Sequence, residues 1–192
     1  MIENLVLQSR SCRGYDESVH LTRKQLEDFV SCARLCPSSG NKQPLRYYIA
    51  WEDADVAKIL KCTKWAAALP QIHLPHEGQN PTAFIVICQD TSIDPDLLRY
   101  QRDVGIVAQT IMLRAVEEGY RGCMIGNFQA SALHEALHLA DSIRPQLCLA
   151  LGKSVETVKL TDVPEDGNTN YYRDENDVHY VPKRKLEDLL LD

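Results

Sequence analysis

The stretch RDVGIVAQTIMLRAVEEGYRGCMIGNF, residues 102–128, joins the most helical segment of the chain to a short apolar strand. Apolar residues recur through this segment at the spacing of one helix face, and Gly119 follows as a stop signal. We therefore predict a helix from Pro95 to Glu118. It is apolar on more than one stripe, and a monomer of 192 residues has too little surface to cover them all. The pattern predicts a homodimer.

Outward from this segment, strands alternate with helices and no internal repeat is present. Thr22 is a good N-cap for one helix and Asp53 opens another. Strands are predicted at LRYYIAWE (45–52), TAFIVICQD (82–90), GCMIGNF (122–128) and RPQLCLALGK (144–153), with a helix at SALHEALHLA (131–140). Three prolines predict a helical turn and then a loop over 63–81. Beyond Gly152 the chain is polar and aromatic without a clean period, before a last short helix KLEDLLLD (185–192).

Composition excludes several classes of protein. A formal net charge of -6 argues against a binder of nucleic-acid phosphates. No apolar run approaches the roughly 20 residues that span a bilayer, and the N-terminus lacks a secretory pattern, so we expect no membrane partner and a cytoplasmic location. The seven dispersed cysteines include no C-x-x-C pair, which favours reduced, buried thiols. His134 and His138 lack a third ligand, so we expect no metal site.

Two basic clusters stand at opposite ends of this acidic chain. SRSCRGY (9–15) brings together Arg10, Ser11 and Arg13, and guanidinium forks with a hydroxyl suit phosphate oxygens. VPKRK (181–185) supplies a second cluster that includes Lys183 and Arg184. Each cluster taken alone is also consistent with solvent-exposed surface charge, whereas the two clusters together favour a shared anionic ligand.

Two further segments are candidates for a ligand site. CPSSGNKQP (36–44) concentrates small polar residues before a strand; it is either a loop of Asx and Ser turns or the lining of a ligand. Its S-x-x-K spacing is discounted as a hydrolase motif because Pro44 and a strand follow instead of a helix. Gly126, just past a buried strand, permits close approach of a flat ligand or marks a bulge.

Together these motifs resemble the FMN-dependent nitroreductase family, in the same order and over residues 9–190. SRSCRGY resembles its R-S-x-R-x-[FY] opening, and CPSSGNKQP its A-P-S-x-x-N-x-Q-P loop. The stretch at 102–128 is similar to its long central helix and glycine-bearing strand, and LALGK and VPKRKLEDLL match its closing segments. Cys36, Tyr120, Arg121 and Ser154 depart from the family pattern without touching the phosphate residues.

The resemblance implies an α+β fold in three layers, with a central, mostly antiparallel sheet flanked by helices. It implies one domain over residues 1–192 and an obligate homodimer with the long helix at its interface, residues 161–192 extending over the partner. FMN would lie in two pockets shared between chains. The residues implied for FMN are Arg10, Ser11, Arg13, Arg184 and Lys183 at the phosphate and ribityl chain; Pro37, Ser38, Ser39, Asn41 and Gln43 from the other subunit; and Ile125, Gly126 and Asn127 against the flavin ring.

The implied activity is hydride transfer from NADH or NADPH through flavin N5 to a small-molecule acceptor (a nitroaromatic, quinone or enone) by a ping-pong mechanism. No catalytic side chain is implied, because the cofactor carries the chemistry. In this family, segments such as 63–81 and 161–181 shape the substrate pocket. The alternative function is a non-enzymatic flavin-binding or redox-sensing dimer, in which Cys12 or Cys36 beside the cofactor loops carries the signal.

Overall fold

The computed structural model describes residues 1–191. Within that range, no helix has both the length and the apolar character needed to cross a bilayer. The helices are α1 Ile2–Gln8, α2 Arg23–Ala33, α3 Asp53–Cys62, α4 Gln101–Glu117 and α5 Ala130–Ala136. The strands are β1 Leu45–Ala50, β2 Ala83–Asp90, β3 Arg121–Ile125, β4 Ile143–Gly152, β5 Val158–Asp162, β6 Tyr172–Arg173 and β7 His179–Lys183.

A four-stranded sheet in the order β1-β2-β4-β3 forms the centre, and all of its pairs are antiparallel. β2 is buried on both faces because its side chains alternate between two cores. Ile85 and Ile87 pack with α2 and α4, whereas Phe84 and Val86 pack with α3 and α5. Helices therefore cover both faces, which confirms the expected α+β fold with an antiparallel central sheet.

α2 and α3 begin at the residues that the sequence predicts. Thr22 accepts a hydrogen bond from the backbone of Gln25, whose side chain accepts from Thr22 in return, so a capping box starts α2. The prediction that the long helix begins at Pro95 is wrong. Asp94 and Asp96 accept hydrogen bonds from backbone N–H groups two residues ahead, at 3.0 Å each, and these local turns compete with a helix until Gln101.

Strands after Gly152 were missed by the sequence reading. Val158–Asp162 pairs in parallel with His179–Lys183, and Tyr172–Arg173 completes a second sheet in the order β5-β7-β6. The alternation in β5 covers only five residues and β6 has only two, so a period of two does not stand out in the sequence, and pairing between the segments stabilises these strands. The predicted closing helix is a single 3₁₀ turn, Leu186–Asp188. In the segment 63–81, the expected helical turn takes the form of two consecutive turns. The N–H of Leu69 donates to the carbonyl of Ala66, and the N–H of Ile72 donates to the carbonyl of Leu69.

The N-terminal turn is fastened to the edge of the central sheet. The N–H of Cys12 donates to the carbonyl of Gly122 at 2.9 Å, and the buried Tyr15 hydroxyl donates to the carbonyl of Cys12. Gly122 also lets β3 pack closely on β4, because a Cβ at its position would lie 2.1 Å from the carbonyl oxygen of Ala150. At Gly126, four residues along, a Cβ would meet nothing within 4 Å.

These two glycines make a matched pair for a stability test. Gly122→Ala forces a methyl group into backbone that cannot yield, so we expect the free energy of unfolding to fall by about 3 kcal/mol, as at overpacked sites. Gly126→Ala should change it by less than about 0.5 kcal/mol. Urea unfolding followed by circular dichroism measures both. Equal stability of the two variants would contradict the account of how closely β3 packs on β4.

Candidate cofactor site

A cleft of about 180 Å³ opens where β3 ends. It brings together four of the predicted site residues: Arg13, Ile125, Gly126 and Asn127. Small-molecule sites usually enclose roughly 300–1,000 Å³. One chain therefore provides a partial pocket.

The cleft also contains residues that the sequence reading did not assign. The backbone N–H of Lys64 donates to the carbonyl of Asn127 at 2.8 Å, which lays Lys64 and Trp65 along one wall. Tyr171 lies beneath Arg13, whose guanidinium is 5.0 Å from the ring centroid. Trp65 lies in the segment 63–81 and Tyr171 in the segment 161–181, and neither segment carries a sharp motif. Their aromatic character was the available sequence signal that these residues could line a ligand site.

The basic turn presents guanidinium atoms that lack partners. Nε of Arg10 and Nη1 of Arg13 are buried and have no hydrogen-bond partner in the described part of the chain. Buried polar atoms are normally satisfied, and a guanidinium fork matches phosphate oxygens. Ser11 is exposed beside them, with its backbone bridged to Gly122. The donors therefore fit the terminal phosphate of FMN.

A buried imidazole lies behind this turn. Its residue, His179, is 2% exposed, and its ring meets that of Tyr171 edge-on at 5.3 Å. Burial, followed by the positive charges of Arg13, Arg173 and Arg10, lowers the pKa of His179 to about 4. The ring is therefore neutral near pH 7.

The floor of the cleft fits a flat ring. Gly126 is exposed, its φ lies outside the left-handed region, and its missing Cβ leaves open space. Neither packing nor backbone conformation within the chain demands glycine here, in contrast to Gly122. A Cβ at this position would instead project into space available to a ligand lying on Ile125–Asn127.

The predicted polar loop is held by an acidic residue that the sequence reading missed. Asp103 in the first turn of α4 is buried, and it accepts hydrogen bonds from the Ser38 hydroxyl at 2.7 Å and from the Ser39 N–H at 2.9 Å. Ser38 Oγ in turn accepts from the N–H of Gln43. Because its proton is committed to Asp103, the Ser38 hydroxyl positions this loop. The signal available in the sequence was an acid at the start of the long helix.

The rest of the loop faces outward. Asn41 and Gln43 have φ values of 53° and 51°, and both side chains are exposed. The amide of Gln43 donates to the side-chain oxygen of Asn41 at 3.0 Å, which fixes the two side chains together. Pro37 and Ser38 line a second cleft with Asp103, and no residue of the first cleft takes part in it.

Within one chain, the predicted residues fall into separate groups. The loop precedes β1 at one edge of the sheet. β3 forms the other edge, three strand spacings or about 14 Å from β1, and the basic turn runs along its outer side. Lys183 and Arg184 are exposed, and Lys183 lies four residues, or about 13 Å, along β7 from His179. The structure therefore unites Arg13 with residues 125–127, and it does not bring the loop or the C-terminal basic pair to them.

The thiols near the site are protected. Burial raises the pKa of Cys12 and raises that of Cys123 to about 11. Cys36 is half-buried, with its sulfur 3.1 Å from the hydroxyl of Thr110. All seven cysteines are free, and the described residues contain no group of three or more His, Cys, Asp or Glu side chains able to hold a metal ion.

Comparison with known proteins shows which proteins this chain is related to. An Archaeoglobus fulgidus protein named as an NADH dehydrogenase/NAD(P)H nitroreductase is 24% identical over 157 residues, covering 77% of this chain and 82% of its own. A nitroreductase family protein from Clostridium difficile 630 superposes with a TM-score of 0.63 at 25% identity, over 79% of this chain and 83% of that one.

A nitroreductase from Exiguobacterium sibiricum, solved in complex with FMN, has the same fold, with a TM-score of 0.68 at 20% identity over 81% of this chain and 89% of that one. The model of the Nitroreductase family itself matches residues 6–153, which include the basic turn, the polar loop and every residue of the cleft beside β3 except Tyr171. This chain belongs to the nitroreductase family.

Proposed function

We propose that the chain is an FMN-dependent oxidoreductase that passes hydride from NADH or NADPH to an electron-poor acceptor by a ping-pong mechanism. The acceptor would be a nitroaromatic, a quinone or an enone. The observation that carries the proposal is the pair of unpartnered guanidiniums, Arg10 and Arg13, beside the open floor at Gly126. The FMN complex of the Exiguobacterium sibiricum protein and the name of the Archaeoglobus relative support the choice of cofactor and donor.

FMN, when bound, would supply the hydride chemistry at N5 of its ring. Arg10 and Arg13 would hold the phosphate, with Ser11 beside it, and the backbone of residues 125–127 would support the ring. Trp65 and Tyr171 border the same cleft, so they would stack with a flat acceptor or nicotinamide and exclude water from it. No side chain of this chain needs to exchange a proton in the proposed reaction.

We further propose that two chains complete each pocket. The cleft is small, and the loop of residues 37–43 lies at the opposite edge of the sheet from Arg13. Apolar side chains are exposed on α1, on α4 at Ile106 and along the tail at Leu186–Leu191. A second copy would cover these surfaces and bring its own loop to the open side of the cleft. Lys183 and Arg184 would reach the phosphate in the same assembly.

Removing one guanidinium tests the phosphate role. Arg13→Ala deletes a charge-assisted contact, so we expect FMN binding to weaken by about 1.5–3 kcal/mol, measured by flavin fluorescence titration. Arg23→Ala is the control, because Arg23 is an exposed residue of α2 paired with Glu27. If both variants bind FMN as tightly as the parent protein, Arg13 does not hold the phosphate.

A mixed dimer tests the shared pocket. One chain carries Arg13→Ala, its partner carries Asn41→Ala, and differently tagged copies allow the heterodimer to be isolated. With shared pockets, both substitutions fall in one pocket, because each pocket takes Arg13 from one chain and Asn41 from the other. We expect half the sites to bind FMN with parental affinity. Two equally weakened sites would contradict sharing between chains.

Turnover distinguishes an enzyme from a redox sensor. With FMN and an added quinone or nitroaromatic, the protein should oxidise many equivalents of NADH or NADPH for each flavin, followed at 340 nm. Oxidation of a single equivalent would favour the sensor. Thiol signalling at Cys12 is already disfavoured, because burial raises the pKa of that thiol and shields it from reagents.

A further inference from the structure

His179 is a buried side chain without a hydrogen bond, and neither the fold nor the proposed reaction uses it. Both ring nitrogens, Nδ1 and Nε2, are buried and have no partner among the described residues. An imidazole always carries one N–H donor and one acceptor when neutral, so two lost hydrogen bonds need an explanation. The backbone does not explain them, since the backbone N–H of His179 is satisfied separately by the carbonyl of Thr157.

The surroundings of the ring are predominantly cationic. The charged groups that face it are the guanidiniums of Arg10, Arg13 and Arg173 and the carboxylate of Asp177, with the Tyr171 ring packed on its edge. Asp177 is already bonded to Arg173 at 2.9 Å and lies 3.2 Å from His76.

The other carboxylate in this cluster belongs to Glu156, which pairs with Arg173 through Oε1, and both side chains are almost completely buried. Oε2 of Glu156 is buried and has no hydrogen-bond partner among the described residues. Three guanidiniums are therefore balanced by two carboxylates, and both carboxylates bond to Arg173. This leaves a net positive charge at Arg10 and Arg13, where partners are also missing. A bound anion would remove this imbalance.

We propose that His179 is a further binding residue for the phosphate of FMN, and that it becomes protonated and donates a hydrogen bond when the phosphate binds. The inference rests on the proposed function, because it takes FMN as the ligand of this corner. In the free chain burial, and after it the three guanidiniums, keep the imidazole neutral. A phosphate dianion beside Arg10 and Arg13 would offset the three positive charges and favour the charged ring. The proton comes from solvent and forms an N–H bond on the ring; no other covalent bond forms or breaks.

The pH dependence has a definite sign. The pKa of His179 is about 4 in the free chain and is higher in the complex, so the complex holds more protons at any pH between the two values. FMN binding therefore takes up protons, and the contribution of His179 to affinity grows as pH falls through that window. The phosphate of free FMN also gains a proton near pH 6, which weakens binding, so a variant is needed to separate the two effects.

The test compares FMN with riboflavin, which has the same ring and no phosphate. His179→Asn should weaken FMN binding at pH 6 by about 10-fold, as for one charge-assisted contact, and leave riboflavin binding unchanged. Calorimetry in buffers of different ionisation enthalpy should show that the parent protein takes up more protons than His179→Asn on binding FMN. His138→Asn is the control, because His138 is exposed and its φ of 49° suits asparagine.

A second measurement needs no variant. In the ring-proton NMR spectrum of the parent protein, we expect the pKa of His179 to rise on adding FMN and to stay unchanged on adding riboflavin. Unchanged titration with FMN, or equal FMN affinity and proton uptake in His179→Asn, would overturn the inference. If Arg13→Ala still weakens FMN selectively, the proposed function survives that result. If FMN and riboflavin bind equally well to the parent protein, the phosphate corner itself is wrong.

Discussion

The hydrogen bond from Cys12 to Gly122 is the contact on which the candidate site depends. It lays the N-terminal turn along the outer edge of β3, and the absence of a Cβ at Gly122 lets the other edge of β3 pack closely on β4. Because β3 leads directly into Gly126, one attachment fixes both the guanidiniums and the floor of the cleft. Local backbone pairing thereby sets the distance between the guanidiniums of the N-terminal turn and the floor of the cleft.

The same arrangement leaves the positive charge of the N-terminal turn unbalanced within the free chain. Burying guanidinium atoms without partners costs free energy, and this chain does so at Arg10 and Arg13 while its nearby carboxylates bind Arg173. Binding an anion would recover that cost, and the unfavourable term in the free chain would then become affinity for the ligand. On this view His179 belongs to the same anion site, since its two ring nitrogens also lack hydrogen-bond partners among the described residues.

Sequence reasoning succeeded where local chemistry decides the structure. Thr22 and Asp53 mark their helices, β2 reads as a doubly buried strand, and the order of motifs predicts the family. It failed at the start of α4, where local hydrogen bonds to the side chains of Asp94 and Asp96 delay the helix. It failed again where contacts between distant segments decide the structure, since β7 exists because it pairs with β5.

The site shows the same division. Arg13 and residues 125–127 carried motifs and do meet in one cleft, which Lys64, Trp65 and Tyr171 join through contacts between distant segments. Asp103, which holds the separate polar loop, and His179, which packs on Tyr171, are placed by such contacts too. Such contacts leave no periodic signal in a single sequence. For the same reason, the separation of the polar loop from the basic turn became visible only from the strand order.

The central claim is that this chain binds FMN as a resident cofactor in pockets completed by a second copy. The most direct measurement is the visible absorption spectrum of the freshly purified protein, with the chromophore released by heat and quantified per chain. We expect flavin bands and about one FMN per chain, the stoichiometry of two pockets in a dimer. A colourless protein that also takes up no added FMN would contradict the claim.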